Sequence, residues 1–188
     1  MTVDSFDGNC LASTSNRSWR DQEALVRGEI LLSTRAHSAW GGAVTASMYL
    51  PLSRSLAWQQ LTDYPRWVQY FPDLVRSEVL QRADGLHPGG KRLYQVASKA
   101  FLFFTAQIEV YLRVVETVHQ KIQFRQEQGS FTDFAAELTL QDYLTGTLLA
   151  YSVQATPAIP IPSMFVQQAI QLDLPTNMRK MRQVLCVS

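Results

Sequence analysis

Histidine and cysteine side chains most often supply acid–base, nucleophilic or metal-binding chemistry. This chain has three histidines and two cysteines. His37, His87 and His119 fall in predicted turns or loops, without a serine or cysteine nucleophile at a characteristic spacing. Cys10 and Cys186 lie near opposite ends of the chain, outside any CxxC pair. We interpret them as free thiols in a reducing cytosol, the alternative being a disulfide. Because no cluster has metal-ligand spacing, the sequence predicts neither a metal nor a cofactor.

Carboxylates and phosphate-binding motifs give no stronger signal for catalysis. Asp133 and Glu137 fall on the polar face of a predicted strand, so we expect solvated side chains rather than paired acids. The chain has no G-x-S-x-G elbow and no glycine-rich phosphate loop. Four polar side chains could face an interior and bond a ligand carbonyl: Tyr94, Gln95, Thr147 and Tyr151.

Aromatic side chains are more informative, because pockets for apolar molecules are commonly lined by them. Trp58, Trp67, Tyr70 and Phe71 fall in two predicted short helices. They could line a pocket or pack these helices onto a sheet, and packing is the commoner role for any single one.

Phe101, Phe103 and Phe104 place three phenylalanines within four positions. Because neighbouring residues of a strand point to opposite faces, at least one should be exposed or lie in a loop at a cavity mouth. The sequence therefore predicts a lid, or a patch that touches a membrane or partner during ligand loading. A strand with both faces covered, or a dimer contact, is the alternative.

Bulk properties indicate one globular domain over residues 23–188, preceded by a flexible arm over residues 1–22. Of the 188 residues, 46% are hydrophobic and 11% aromatic, enough for a large core. A net charge of +1 argues against nucleic-acid binding. The first twenty residues do not resemble a secretory signal, and no apolar run could span a membrane. We therefore predict a cytoplasmic protein.

Periodicity and turn residues predict the elements that would position these side chains. A strand is expected over residues 24–34, and alternation over residues 42–50 puts Ala46, Met48 and Leu50 on one face. Ser53 is a predicted N-cap for a helix over residues 54–62, and Pro65 lies in the first turn of a second short helix.

Residues 74–154 predict an antiparallel series of strands with an apolar face. A helix over residues 163–184 is expected to cover that face, kinked or split at Pro175. Within the strand over residues 131–141, one set of alternating residues is assigned to the inner face: Thr132, Phe134, Ala136, Leu138 and Leu140.

The segment over residues 50–80, LPLSRSLAWQQLTDYPRWVQYFPDLVRSEVL, resembles the START-like (SRPBCC) superfamily, which includes polyketide cyclases/dehydrases and coenzyme Q-binding START proteins. Residues 128–140 and 172–182 resemble its Gly-X-Phe turn with the strand after it, and its closing helix. The resemblance implies an α+β helix-grip fold, in which a curved antiparallel sheet, two short helices and a long C-terminal helix enclose a cavity. It also implies that this cavity lies near Trp58, Trp67, Tyr70, Phe71, Phe134, Leu138, Phe165, Ala169 and Ile170.

These observations favour a binding protein for a hydrophobic small molecule such as a lipid, isoprenoid, quinone or pigment-like compound. Movement of a loop over residues 99–105 against the last helix would admit the ligand, with transient membrane contact. One alternative is an aromatase/cyclase or dehydratase that acts on a polyketide-like substrate. Another is a non-catalytic accessory protein whose own side chains fill the cavity. The oligomeric state stays open.

Overall fold

The computed structural model describes residues 19–82, 90–101, 104–159 and 161–187, without the side chains of residues 81, 82, 99–101 and 104–106. The helices in these ranges are α1 (Trp19–Val26), α2 (Arg54–Leu61), a 3₁₀ helix (Tyr64–Gln69) and α3 (Ser163–Val187). The strands are β1 (Leu31–Ser38), β2 (Gly41–Leu50), β3 (Leu74–Arg82), β4 (Gly90–Phe101), β5 (Phe104–Thr117), β6 (Lys121–Gly129), β7 (Phe131–Tyr143) and β8 (Gly146–Pro157).

All of these strands belong to one antiparallel sheet in the order β1-β2-β8-β7-β6-β5-β4-β3. From β3 to β8 each strand pairs with the next along the chain, and β8 closes onto β2. The segment with α2 and the 3₁₀ helix connects β2 to the far edge strand β3. The predicted helix-grip architecture, a curved open sheet with a long C-terminal helix, is confirmed.

One face of the sheet, called the inner face below, is apolar. On β2, Ala46, Met48 and Leu50 are fully buried, whereas Thr45 and Tyr49 on the opposite face are partly exposed and Ser47 there is 6% exposed. The predicted alternation is therefore confirmed. It follows from the pleat of the strand, which sends successive side chains to opposite faces.

The start of β7 departs from the predicted alternation. The register shifts between Phe131 and Asp133, so that Phe131 and Phe134 both pack against the core while Thr132 is exposed. The inward assignment of Thr132 is wrong, because an extra residue in one strand reverses the orientation of the side chains beyond it.

The sheet has two different ends, named here after α3. The β1–β2 and β6–β7 turns lie at the α3 N-terminal end, where the Ser163 N–H donates to the Ala39 carbonyl at 3.1 Å. The β5–β6 and β7–β8 turns and α2 lie at the α3 C-terminal end. There Gln60 Nε2 donates to the Leu185 carbonyl at 3.1 Å.

Local signals predicted α2 and the 3₁₀ helix well. Ser53 caps α2 by accepting a hydrogen bond from the Leu56 N–H at 3.3 Å, and Pro65 lies in the first turn of the 3₁₀ helix. Trp67 Nε1 then donates to the Leu61 carbonyl at 2.9 Å. This bond satisfies the buried indole N–H and fixes the angle between the two helices.

The helix α3 runs along the inner side of β2 and approaches its backbone at Gly42. A Cβ at Gly42 would lie 2.8 Å from Gln167 Cα, so only glycine permits this contact without a shift. The helix continues through Pro175, and the predicted split is wrong. The buried side chains of Leu174 and Met178 on either side of Pro175 anchor the helix to the core.

The α3 C-terminal end of the inner face is closed by side chains. Tyr64 is fully buried, and its hydroxyl donates to Glu116 Oε1 at 2.5 Å. Lys91 Nζ donates to the same oxygen at 2.7 Å and lies 5.2 Å from the centroid of the Tyr64 ring. Burial, reinforced by the hydrogen bond to Glu116 and by its charge, raises the pKa of Tyr64 far above its usual range.

The N-terminal part of the chain differs most from prediction. Residues 1–18 of the predicted arm lie outside the described residues, and residues 19–22 belong to α1. Residues 24–26, predicted to begin a strand, complete α1. The helix ends before Gly28, which has a φ of 90° and donates to the Leu25 carbonyl at 3.0 Å. The strand β1 extends to Ser38, so the prediction of a turn at His37 is wrong.

We expect Gly42→Ala to lower the free energy of unfolding by about 1–3 kcal/mol, because the added methyl group would push against the α3 backbone. Urea unfolding followed by circular dichroism measures the change. Ser33→Ala, at an exposed position on β1, is the control and should stay within about 0.5 kcal/mol. Equal effects of the two substitutions would contradict the close approach.

We expect Tyr64→Phe to weaken the loss of stability above about pH 10. Folded Tyr64 keeps its proton where the unfolded chain releases it, so the unfolded state binds fewer protons and stability falls as pH rises. In this pH range, one such tyrosine lowers the free energy of unfolding by about 1.4 kcal/mol for each pH unit. Urea unfolding across this range should give a shallower slope for Tyr64→Phe. Glu116→Gln should keep most of the slope, because burial is the largest cause; a slope unchanged by Tyr64→Phe would contradict this assignment.

Candidate ligand-binding site

Several of the aromatic residues proposed from the sequence lie in the core. Tyr70 is fully buried, and Trp67 and Trp58 are 3% and 8% exposed. Trp67 stacks on Phe71, with ring centroids 5.3 Å apart, and Trp58 contacts the imidazole of His119 edge-on at 5.9 Å. Apart from Phe71, these side chains pack α2 and the 3₁₀ helix onto the sheet rather than line open space. Leu138 on β7 is likewise fully buried.

At the α3 N-terminal end, the inner face is less completely covered. The apolar side chains here pack against the core but are only partly buried, so each keeps some contact with solvent. They come from the segment after the 3₁₀ helix, from three strands and from α3, and we call them the groove residues: Phe71, Leu74, Phe131, Phe134, Val153 and Ile170. Of these, Phe71, Phe134 and Ile170 were proposed from the sequence.

Two polar groups lie on this apolar face. Tyr151, beneath the ring of Phe71 at a centroid distance of 6.0 Å, forms no hydrogen bond with any described residue. Burial alone raises the pKa of Tyr151 well above its usual range, so its hydroxyl stays protonated at neutral pH and can donate. Gln126 on β6 points its amide to the same face. Its Nε2 donates to the Phe131 carbonyl at 2.6 Å, while its Oε1 is buried without a hydrogen-bond partner.

Other predicted site residues lie away from the core. Phe165 is 55% exposed and Ala169 is also exposed, on the side of α3 that faces away from the sheet. The pairing of β4 with β5 continues to Phe101 and Phe104, so residues 99–101 and 104–105 are strand rather than the predicted loop. The side chains of Phe101 and Phe104, and all of Phe103, lie outside the described residues. The lid and the membrane contact therefore stay predictions.

A second, polar depression of about 300 Å³ lies beside the start of α3, and sequence reasoning did not find it. Its described lining residues are Ala36, His37, Ser38, Gly41, Ser163 and Gln167. His37 Nε2 lies 3.0 Å from Asp133 Oδ2, which also accepts a bond from Gln154 Nε2 at 3.2 Å. The His37 contact does not have hydrogen-bond geometry, so the pair lacks the bond through which a carboxylate orients a catalytic imidazole.

Sequence reasoning missed four residues of the groove and its border: Leu74, Phe131, Val153 and Gln126. Phe131 reaches the inner face through the bulge in β7, which simple alternation does not reveal. Val153 does follow alternation in β8 and could have been found from it.

Across the described ranges, no three His, Cys, Asp or Glu side chains gather as a metal site would require. No helix in these ranges is long and apolar enough to cross a bilayer.

Comparison with known proteins extends this description. The family model described as "Polyketide cyclase / dehydrase and lipid transport" matches residues 50–182. No curated protein matches the chain.

Three solved structures with similar folds illustrate the range of relatives. A START superfamily protein from Mycobacterium smegmatis has a TM-score of 0.65 at 15% identity, over 76% of this chain and 96% of that one. The Zhui aromatase/cyclase from Streptomyces sp. R1128 has a TM-score of 0.61 at 12% identity, over 78% and 92%. A STAR-related lipid transfer protein from Xanthomonas axonopodis has a TM-score of 0.58 at 16% identity, over 82% and 98%.

Identities this low establish a shared fold and no shared ligand. The family model is the stronger finding, because it matches well over half of the chain and includes α2, the 3₁₀ helix, β3 to β8 and most of α3. The chain therefore belongs to the polyketide cyclase / dehydrase and lipid transport family, within the START-like superfamily.

Proposed function

We propose that this protein binds a hydrophobic small molecule, of the lipid, isoprenoid, quinone or pigment-like kind, between α3 and the inner face of the sheet. One observation carries the proposal. The inner face is largely apolar, yet the groove residues at one end are left partly exposed. Apolar surface on the inside of a fold gains about 25 cal/mol per Å² when a ligand removes it from water.

The packing of the core limits where that ligand would lie. Tyr64, Tyr70 and Trp67 already fill the α3 C-terminal end of the inner face. A bound molecule would therefore occupy the α3 N-terminal end, against Phe134, Val153 and Ile170. The α3 C-terminal end is thus filled by side chains, as the accessory-protein alternative requires. The α3 N-terminal end is the part of the inner face where a ligand could bind.

The chemistry of Tyr151 favours binding over acid–base catalysis. Its hydroxyl keeps its proton at neutral pH and so is a hydrogen-bond donor rather than a base. Burial raises its pKa, and no charge of a described residue contributes to that shift. Such a hydroxyl suits the orientation of a carbonyl, ether or alcohol oxygen in an apolar site.

A polyketide-type cyclase is the second candidate, favoured by the same hydroxyl. Donation to a ketone oxygen would hold a flexible chain in a reactive shape and stabilise charge on that oxygen. Similarity to the Zhui aromatase/cyclase and the family description both include this activity.

The two candidates separate in a kinetic test with the methyl ester of triacetic acid. This compound closes to its pyrone when the enol oxygen attacks the ester carbonyl and methanol leaves, a reaction followed by ultraviolet absorbance. For a binding protein we expect no acceleration beyond about twofold, because no base activates the enol. An acceleration of about a hundredfold that Tyr151→Phe abolishes would instead establish the cyclase.

The binding site is tested with Ile170→Trp, which would fill the groove from α3. We expect the affinity for Prodan, a neutral naphthyl ketone fluorophore, to fall about tenfold or more, because the indole takes the space of the ligand. Leu172→Trp is the matched control on the same helix. Leu172 is 67% exposed, so this variant should change the affinity by less than about twofold.

Val153→Phe, which fills the same groove from β8, should weaken Prodan binding as Ile170→Trp does, with circular dichroism reporting the fold of each variant. Native mass spectrometry of the purified protein and organic extraction identify any molecule that it retains. Failure to bind Prodan, together with an empty extract, would contradict the proposal and favour an accessory protein with a filled interior. An equal loss of affinity in Leu172→Trp would move the site away from the groove.

A further inference from the structure

The side chain of Gln126 adds a chemical requirement to the proposed ligand. Its Oε1 is a buried hydrogen-bond acceptor that no described residue satisfies. We propose that the ligand of this groove carries a hydrogen-bond donor, a hydroxyl or an N–H, which bonds to Gln126 Oε1. This inference rests on the proposed binding function and narrows its ligand class.

The orientation of the amide follows from its other contact. Nε2 donates to the Phe131 carbonyl at 2.6 Å. Exchanging the nitrogen and oxygen would put two acceptors face to face at that distance, so the oxygen must be the unpaired atom. One N–H of Gln126 is therefore engaged by the Phe131 carbonyl, and Oε1 is the unpaired acceptor at this point.

The position of Gln126 places that acceptor beside the groove. The residue lies on the inner face with Phe124, and its register partner on β5 is the buried Leu112. One step before it, Arg125 pairs with Ala135, which brings Gln126 next to Phe134. The rings of Phe134 and Phe131, with centroids 5.3 Å apart, are both partly exposed. Rotation of such rings is a common response to a ligand and would make room beside Gln126.

Gln60 and Gln126 both have an unpaired amide oxygen, but they differ in whether a ligand can reach it. Gln60 Oε1 also lacks a partner, while Gln60 Nε2 donates to the Leu185 carbonyl. Gln60 is 7% exposed and lies between α2 and the end of α3, at the closed end of the inner face. At Gln126 the neighbouring groove residues are partly exposed, so a ligand has a route to the acceptor.

Energetics then favour a donor-bearing ligand over a fully apolar one. A buried acceptor without a partner keeps the cost of its lost hydration, and a ligand that donates to it removes that cost. A hydrocarbon, ether or ester in the same place leaves the acceptor unsatisfied. The ligand class is therefore an apolar body with an alcohol, phenol or N–H group, and Tyr151 is available to donate to an oxygen elsewhere on it.

β-Naphthol and its methyl ether test this inference, because they differ by the donor and little else. We expect the wild-type protein to bind the phenol about three- to tenfold more tightly than the ether in a fluorescence titration. Gln126→Leu should reduce that preference below about twofold while the ether binds at least as tightly as before. Gln123→Leu is the control: it makes the same substitution on β6 but at a residue that donates to Glu137 on the opposite face, and it should keep the preference.

The possible outcomes distinguish failure of the donor requirement from failure of the proposed binding function. Binding of both compounds to the wild type without a preference would overturn the donor requirement and leave an apolar-ligand protein. Binding of neither compound would overturn the proposed function. If Gln126→Leu unfolds the protein, Gln126→Met keeps the length of the side chain and removes its oxygen. A preference that survives in the folded variant assigns the donor to another group and overturns the role of Gln126.

Discussion

The close approach of α3 to β2 at Gly42 is the contact on which the interior of this protein depends. Without a Cβ at Gly42, the backbone of α3 at Gln167 lies directly against the strand. Hydrogen bonds tie both ends of the helix, from the Ser163 N–H to Ala39 and from Gln60 to the Leu185 carbonyl. A helix held this close to β2 lies toward one side of the curved sheet. The inner faces of β7 and β8 at its N-terminal end are then incompletely covered.

That geometry makes the two halves of the inner face physically different. At the α3 C-terminal end, α2 and the 3₁₀ helix lie over the sheet and supply Tyr64, Trp67 and Tyr70 as filling. Tyr64 also bonds a partly buried carboxylate, since Glu116 accepts from both Tyr64 and Lys91. These two donors offset the hydration that the carboxylate loses. At the other end, helices do not supply comparable filling, and the apolar side chains keep contact with solvent.

Sequence reasoning succeeded where the signal was local. The cap at Ser53, the proline in the first turn of the 3₁₀ helix and the alternation of β2 each depend on a few neighbouring residues. The order of the strands was predicted from the family resemblance. Periodicity alone could not predict it, because β2 pairs with a strand about a hundred residues away. For the site, the aromatic residues were identified but not their roles. Trp58 and Trp67 are packing residues, whereas Phe71 and Phe134 border the groove.

What sequence could not supply was the register at Phe131 and the state of individual polar atoms. A bulge in β7 sends Phe131 inward, and the same local geometry brings its carbonyl within reach of Gln126. That bond leaves Oε1 without a partner, a detail that no residue type or spacing encodes. Unpaired polar atoms inside an apolar face oppose folding, and the proposed ligand donor would remove that cost at Gln126. An acceptor at Gln126 and a donor at Tyr151 on one apolar face are the features that would distinguish a ligand-binding interior from a core that merely failed to fill.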